Sequence, residues 1–223
     1  MFAKPFIRRL AFAAALAAPA LAGAETLYTQ PFAETANGGY FASTPGGFLQ
    51  YDSFVLSQNA TIESVSWYGV DLNEILNWTP VNPTSFTVTV SADAGGVPGA
   101  QLSFSVIGDT AGATDTGIDL MGLNLYRFSG TLATPFQAVA GTTYWMGISD
   151  PTSNGNWFWA SGSGANSTHV GVVGGVASSF EDDMSFALQG TVGAVPEPAS
   201  GVLMLLGAVG LLTARARRSG RDG

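Results

Sequence analysis

FTVTVSADAGGVPGAQLSFSV, residues 86–106, holds two alternating segments and the turn that joins them. Successive side chains of a β-strand point to opposite faces, so Phe86, Val88 and Val90 share one buried face. Leu102, Phe104 and Val106 alternate with Gln101, Ser103 and Ser105 in the same way, which predicts a second half-buried strand. Between them Gly95-Gly96 and Pro98-Gly99 are turn formers, because glycine accepts positive φ and proline presets its own. The segment therefore reads as a β-hairpin with a moderately long loop.

The same alternation recurs outward from this hairpin. Further strands are expected at 53–57, 61–69, 123–132, 142–149, 156–160 and 184–192. Tyr144, Met146 and Ile148 share one face, as do Met184, Phe186 and Leu188. The glycine-rich stretch 161–176 reads as a long surface loop or a weak edge strand. A single helical turn is the one helical candidate, at 71–78. Eight or nine strands at this spacing predict an all-β chain, a single antiparallel β-sandwich of jelly-roll type.

Both ends differ from this body. Residues 1–24 carry Lys4, Arg8 and Arg9, an apolar run from Leu10 to Ala18, then Pro19 and the small residues Ala22-Gly23-Ala24. That is the layout of a secretory signal peptide cut after Ala24. Residues 199–214 are uncharged, about 24 Å as a helix, a little short of the roughly 30 Å hydrocarbon core. Their leucines and valines lie all round, with no polar face, which predicts a single transmembrane helix. Arg215, Arg217, Arg218 and Arg221 would hold the C-terminus in the cytoplasm and leave the body outside.

Removing the ends exposes the body's charge. Between Glu25 and Pro198 fifteen acidic residues face Arg127 alone, a net charge of −14. Phosphate backbones need Lys and Arg to displace counterions, so nucleic acid is excluded as a partner. The chain has no cysteine, which removes disulfides, thiol catalysis and thiolate-bound zinc. Stability must come from the core, and about 170 residues can supply one.

Candidate chemistry is sparse. His169 is the single histidine and stands in a Gly-rich stretch; a lone loop histidine without an adjacent nucleophile and orienting acid is no catalytic signature. Glu181-Asp182-Asp183 reads as a solvated face rather than an acid/base pair. No catalytic residue and no enzyme activity are expected. Structural calcium is the one cofactor weighed, against a solvated acidic loop, with Asp109, Asp115, Asp119, Glu181, Asp182 and Asp183 as the ligand pool. Trp145, Trp157 and Trp159, with Asn154 and Asn156, admit two readings. They form a sugar-stacking platform, or the aromatics fill the core and its ends.

Two resemblances follow from these residues. The order SVSWYGV, FTVTVSADAGGVPGAQL, YRFSGTL, AGTTYWMGIS and MSFALQGTV, across about 48–192, resembles the β-sandwich "choice-of-anchor" domains of exported bacterial proteins. It speaks for fold and names no activity. Val195-Pro196-Glu197-Pro198, the short apolar segment and the terminal arginines resemble the PEP-CTERM sorting signal. That resemblance implies an exosortase partner that recognises Pro196, Glu197 and Pro198. It also implies passage through the inner membrane and a setting of extracellular polysaccharide and biofilm. The expected organisation is thus a signal peptide at 1–24, an ectodomain at 25–194 and a sorting signal at 195–223. The expected role is that of a structural or adhesive surface or matrix protein, the alternative a carbohydrate-binding module using the aromatics of 144–159.

Overall fold

The computed structural model describes residues 24–34, 38–72, 85–108, 112–152 and 156–193. The leader up to residue 23, the sorting segment, Asn154, Asp109 and most of the expected helical turn lie outside the described residues. Among the described residues every regular element is a strand. The first seven are β1 (Glu25–Gln30), β2 (Gly39–Phe41), β3 (Phe48–Val55), β4 (Ala60–Asp71), β5 (Phe86–Asp93), β6 (Pro98–Ile107) and β7 (Thr114–Leu120). The rest are β8 (Leu123–Ala138), β9 (Thr143–Ser149), β10 (Trp157–Gly162), β11 (His169–Val173), β12 (Val176–Phe180), β13 (Asp183–Met184) and β14 (Phe186–Val192).

They form two antiparallel sheets, as expected of a β-sandwich. The six-stranded sheet runs β12-β11-β3-β9-β5-β6. The eight-stranded sheet is organised around β4. β8 pairs along one side of β4, and β14 followed by β10 takes the other. β1 then adds to β14, β2 and β13 to β10, and β7 to β8.

The inner faces supply the core. Ile62, Val65 and Trp67 of β4 meet Phe86, Val88 and Val90 of β5, Met146 and Ile148 of β9, and Phe186 and Leu188 of β14. The alternation read from the sequence therefore holds for β5, β9 and β14. At the centre, Phe86 stands edge-on to Trp67 and to Trp157, with centroids 4.9 Å away in each case, while Phe128 stacks on Trp67 at 5.9 Å. Offset and edge-to-face pairs of this kind add roughly 0.5–1.5 kcal/mol each beyond the area they bury.

Two expectations are corrected. In β6 the apolar set faces outward: Leu102, Phe104 and Val106 are 49%, 52% and 55% exposed. Ser105 and Ile107 point inward instead. β8 causes this. Ser105 Oγ accepts the Ala133 amide at 3.0 Å, and Ile107 packs against the bare Gly130. Parity then sends every even-numbered neighbour out. The second correction concerns 161–176, where β11 lies inside the six-stranded sheet between β3 and β12, and β12 forms the edge on that side. His169 opens β11 and is fully buried, so it is no loop residue.

The β14–β4 ladder shifts register between Gln189 and Gly190. There the Gly190 backbone lies against the Thr61 carbonyl, with no room for a methyl group. Gly190→Ala is expected to cost about 2 kcal/mol by overpacking, read as a lower urea midpoint with an unchanged slope.

Candidate functional site

Two places in the described structure bring chemistry together: a buried polar cluster at one end of the sandwich and a groove on its outer surface. The cluster forms where β3, β11 and β13 meet. Alternation along β3 sends Gln50, Asp52 and Phe54 inward, and His169 lies opposite Asp52 in the β11–β3 ladder. The β10–β13 bridge brings Asp182 and Asp183 to the same region.

Asp52 is completely buried. Its Oδ1 accepts the Ser53 amide and its Oδ2 the Met184 amide, both at 2.6 Å. Gln30 completes the site in the amide orientation that satisfies its neighbours. Its nitrogen donates to Asp52 Oδ2 at 3.2 Å and to the Met184 carbonyl at 2.8 Å, and its oxygen accepts from the Tyr28 hydroxyl at 3.1 Å. Burial pushes the Asp52 carboxyl up to about 8, against the two amides and Gln30, with Asp183 adding to the rise. Tyr28 is pushed up to about 12 by burial and by the neighbouring Asp52 and Asp183.

His169 lies between two rings, stacked on Phe180 at 5.0 Å and edge-on to Tyr40 at 4.3 Å. Its Nδ1 is 2.9 Å from the Asp182 carbonyl and 3.0 Å from Asp182 Oδ1. That geometry assigns the proton to Nδ1, which donates to the Asp182 carbonyl with the carboxylate close by. Burial holds the imidazole below its ordinary range, opposed by the Asp182 carbonyl and carboxylate. Its Nε2 is buried without a hydrogen-bond partner. Ser161 Oγ donates to Asp182 Oδ2 at 2.8 Å. Serine and histidine thus meet at the same carboxylate and not each other, so the histidine has no hydroxyl proton to take.

The acids read as a calcium pool do not form one group. Asp115 and Asp119 are exposed on β7, and Glu181 is exposed. Asp182 and Asp183 are buried and bound to Ser161 and to the Ala165 amide. Among the described residues no three histidine or acidic side chains converge as metal ligands.

Of the two readings of these aromatics, packing in the interior is the one the structure shows, and the sugar-stacking platform is not. Trp157 and Trp159 are fully buried and Trp145 is 3% exposed, so no indole face reaches solvent. Alternation does put Trp157 and Trp159 on one face, but that face is the inner one. Trp159 Nε1 donates to the Ser185 carbonyl at 2.8 Å. Trp145 Nε1 donates to Asp93 Oδ1 at 2.8 Å, and the same carboxylate caps the Gly95 and Gly96 amides of the β5–β6 turn. The Trp145 N–H, joined by those amides, holds Asp93 below the usual carboxylate range. Asn156 accepts the Leu72 amide through its backbone carbonyl at 2.9 Å. The three indoles belong to the packed interior.

The groove lies on the outer face of the six-stranded sheet and has a volume of about 170 Å³. Its lining includes Leu49 and Tyr51 of β3, Thr87 and Thr89 of β5, Gln101 and Phe104 of β6, and Gly147 of β9. Tyr51, Gly147, Thr89 and Phe104 stand in one cross-strand row. The Cδ1–Cε1 edge of the Tyr51 ring occupies the space that a side chain at 147 would need, within 2.7 Å of its Cβ position. Nothing in the sequence marks these groove residues as a site, since Tyr51 and Phe104 look like ordinary strand apolars.

Compared with known protein families, curated proteins and solved structures, the chain matches none.

Proposed function

We propose that this chain is an exported surface or matrix protein with a structural or adhesive role, delivered by its leader and sorted by an exosortase at Pro196-Glu197-Pro198. The pairing of β1 with β14 carries the reading. β1 starts at Glu25, one residue past the expected leader cut, and Glu25 lies opposite Gly190, near the end of β14. Both strand ends leave the same end of one sheet. A body built this way hangs from the membrane on a single short connector, and two cuts at that place free a complete sandwich. The catalytic alternative is disfavoured because His169 is sealed between rings and Ser161 is committed to Asp182.

The test is the intact mass of the mature surface form in a host with the sorting enzyme. The expected chain begins at Glu25 and lacks the residues after about Pro198. Arg218 still attached to the surface form would overturn the proposal.

A further inference from the structure

We propose that the groove between Tyr51 and Phe104 binds a neutral glycan chain. This rests on the reading of the protein as an exported adhesive component and names the chemistry of its contact. Phe104 is 52% exposed on a strand whose inward positions hold Ser105 and Ile107. Burying a phenylalanine is strongly favourable, and here that gain is forgone while a serine occupies the interior. Leu102 and Val106 flank it at similar exposure, giving three large apolar side chains left open in a row along one strand. A contiguous apolar stripe of this kind marks a contact surface.

Three features specify the ligand. Gly147 lets the half-buried Tyr51 ring and the Thr89 hydroxyl close over its backbone, and the groove they line lies beside the exposed Phe104 ring. A pyranose presents an apolar C–H face that packs on such a ring, with hydroxyls around its edge. Second, the Tyr51 hydroxyl, Thr87 Oγ1 and the Gln101 amide make no hydrogen bond among the described residues, leaving donors and acceptors free for those hydroxyls. Third, the lining carries no charged side chain, while the body carries −14. An anionic polymer meets repulsion with no local cation to offset it, whereas a neutral polyol meets neither penalty.

The experiment uses the full chain in a zwitterionic detergent, titrated with cellohexaose, mannohexaose, xylohexaose and maltohexaose, and with alginate as the anionic probe. Saturable binding to at least one neutral hexasaccharide and none to alginate is expected. Phe104→Ala and Tyr51→Ala should each weaken that binding by about tenfold or more, and the Phe104 variant should keep its melting temperature because the ring is already half in water. Tyr51→Phe isolates the hydroxyl and keeps the ring. The proposal is overturned if no neutral hexasaccharide saturates, if alginate binds better, or if binding survives both alanine variants. It is equally overturned if Phe104→Ala abolishes a concentration-dependent dimer and leaves glycan binding unchanged, which would make the stripe an interface between copies. These outcomes are independent of the mature mass, so the groove can fail while the sorting proposal stands.

Discussion

Trp157→Ala is expected to destabilise the sandwich by about 3–5 kcal/mol, a large part of what a domain of this size has to lose. The indole is completely buried, edge-on to Phe86 at 4.9 Å and to Phe128 at 6.2 Å, with its six-membered ring against the bare backbone of Gly69. Gly69 pairs with Trp159 in the β10–β4 ladder, so the backbone around the cavity is held and cannot collapse to fill it. One term works the other way. Trp157 Nε1 is buried with no hydrogen-bond partner, and truncation relieves a desolvation cost of about 1–3 kcal/mol. The expected loss therefore sits toward 3 kcal/mol, with Trp157→Phe costing less. Urea unfolding reads it directly, and a change below about 1 kcal/mol would contradict the packing described. Loss of glycan binding by Trp157→Ala would accordingly report a damaged fold and not a missing contact. The Phe104 and Tyr51 variants are the ones that address the surface.

Strands with an apolar stripe were legible in the sequence, because alternation is a local property. Phe86-Val88-Val90, Tyr144-Met146-Ile148 and Phe186-Leu188 all lie on the face that alternation assigns. β12, VASSF, has no such stripe, and β7, TDTGIDL, has only a short one in Ile118 and Leu120. They exist because β8 and β11 offer them ladder partners, which no short window of sequence contains. In β6 the period was readable but its phase was not. Which of two alternating sets faces the core is decided by the Ala133 amide and Gly130 on a distant strand. The glycines of 161–176 misled for a different reason. Gly171 is glycine because a Cβ there would come within 2.8 Å of Phe180 and 2.9 Å of Gln50. It permits close packing inside a sheet and does not mark a loop. The groove was illegible for the same reason as the buried cluster. Tyr51, Gly147 and Phe104 come from three strands, and Asp52 meets Asp183 and Gln30 only after the sheets have formed.

Raising the pH from 6 to 9 is expected to cost the protein about 2 kcal/mol of stability, with Asp52 as the main cause. Its carboxyl titrates near 3.8 in the unfolded chain and at about 8 in the folded one. Between those values the folded state holds a proton that the unfolded state has released, so stability falls as pH rises, by at most about 1.4 kcal/mol per unit. His169 acts in the opposite sense below 6.5. Its folded value is depressed, so the unfolded chain takes up that proton first as the pH drops, and the two slopes offset one another there. Above 6.5 Asp52 is the main contributor. The body between Glu25 and Pro198 has no lysine and no cysteine, and burial raises the Asp52 carboxyl into this window. The terminal amine of a processed chain also titrates there. Tyr28, raised to about 12, extends the decline beyond pH 10. Asp52→Asn should flatten the slope between 6.5 and 9. It should also lower stability throughout, since one amide oxygen and an NH2 group replace two carboxyl oxygens that each accept a backbone N–H at 2.6 Å. The slope is the diagnostic quantity and the offset is not. A wild-type profile that is flat from 6.5 to 9, or an Asp52→Asn variant that keeps the slope, would remove Asp52 as its source. Either result would mean that the Ser53 and Met184 amides and Gln30 hold the ionised carboxylate well enough to offset its burial.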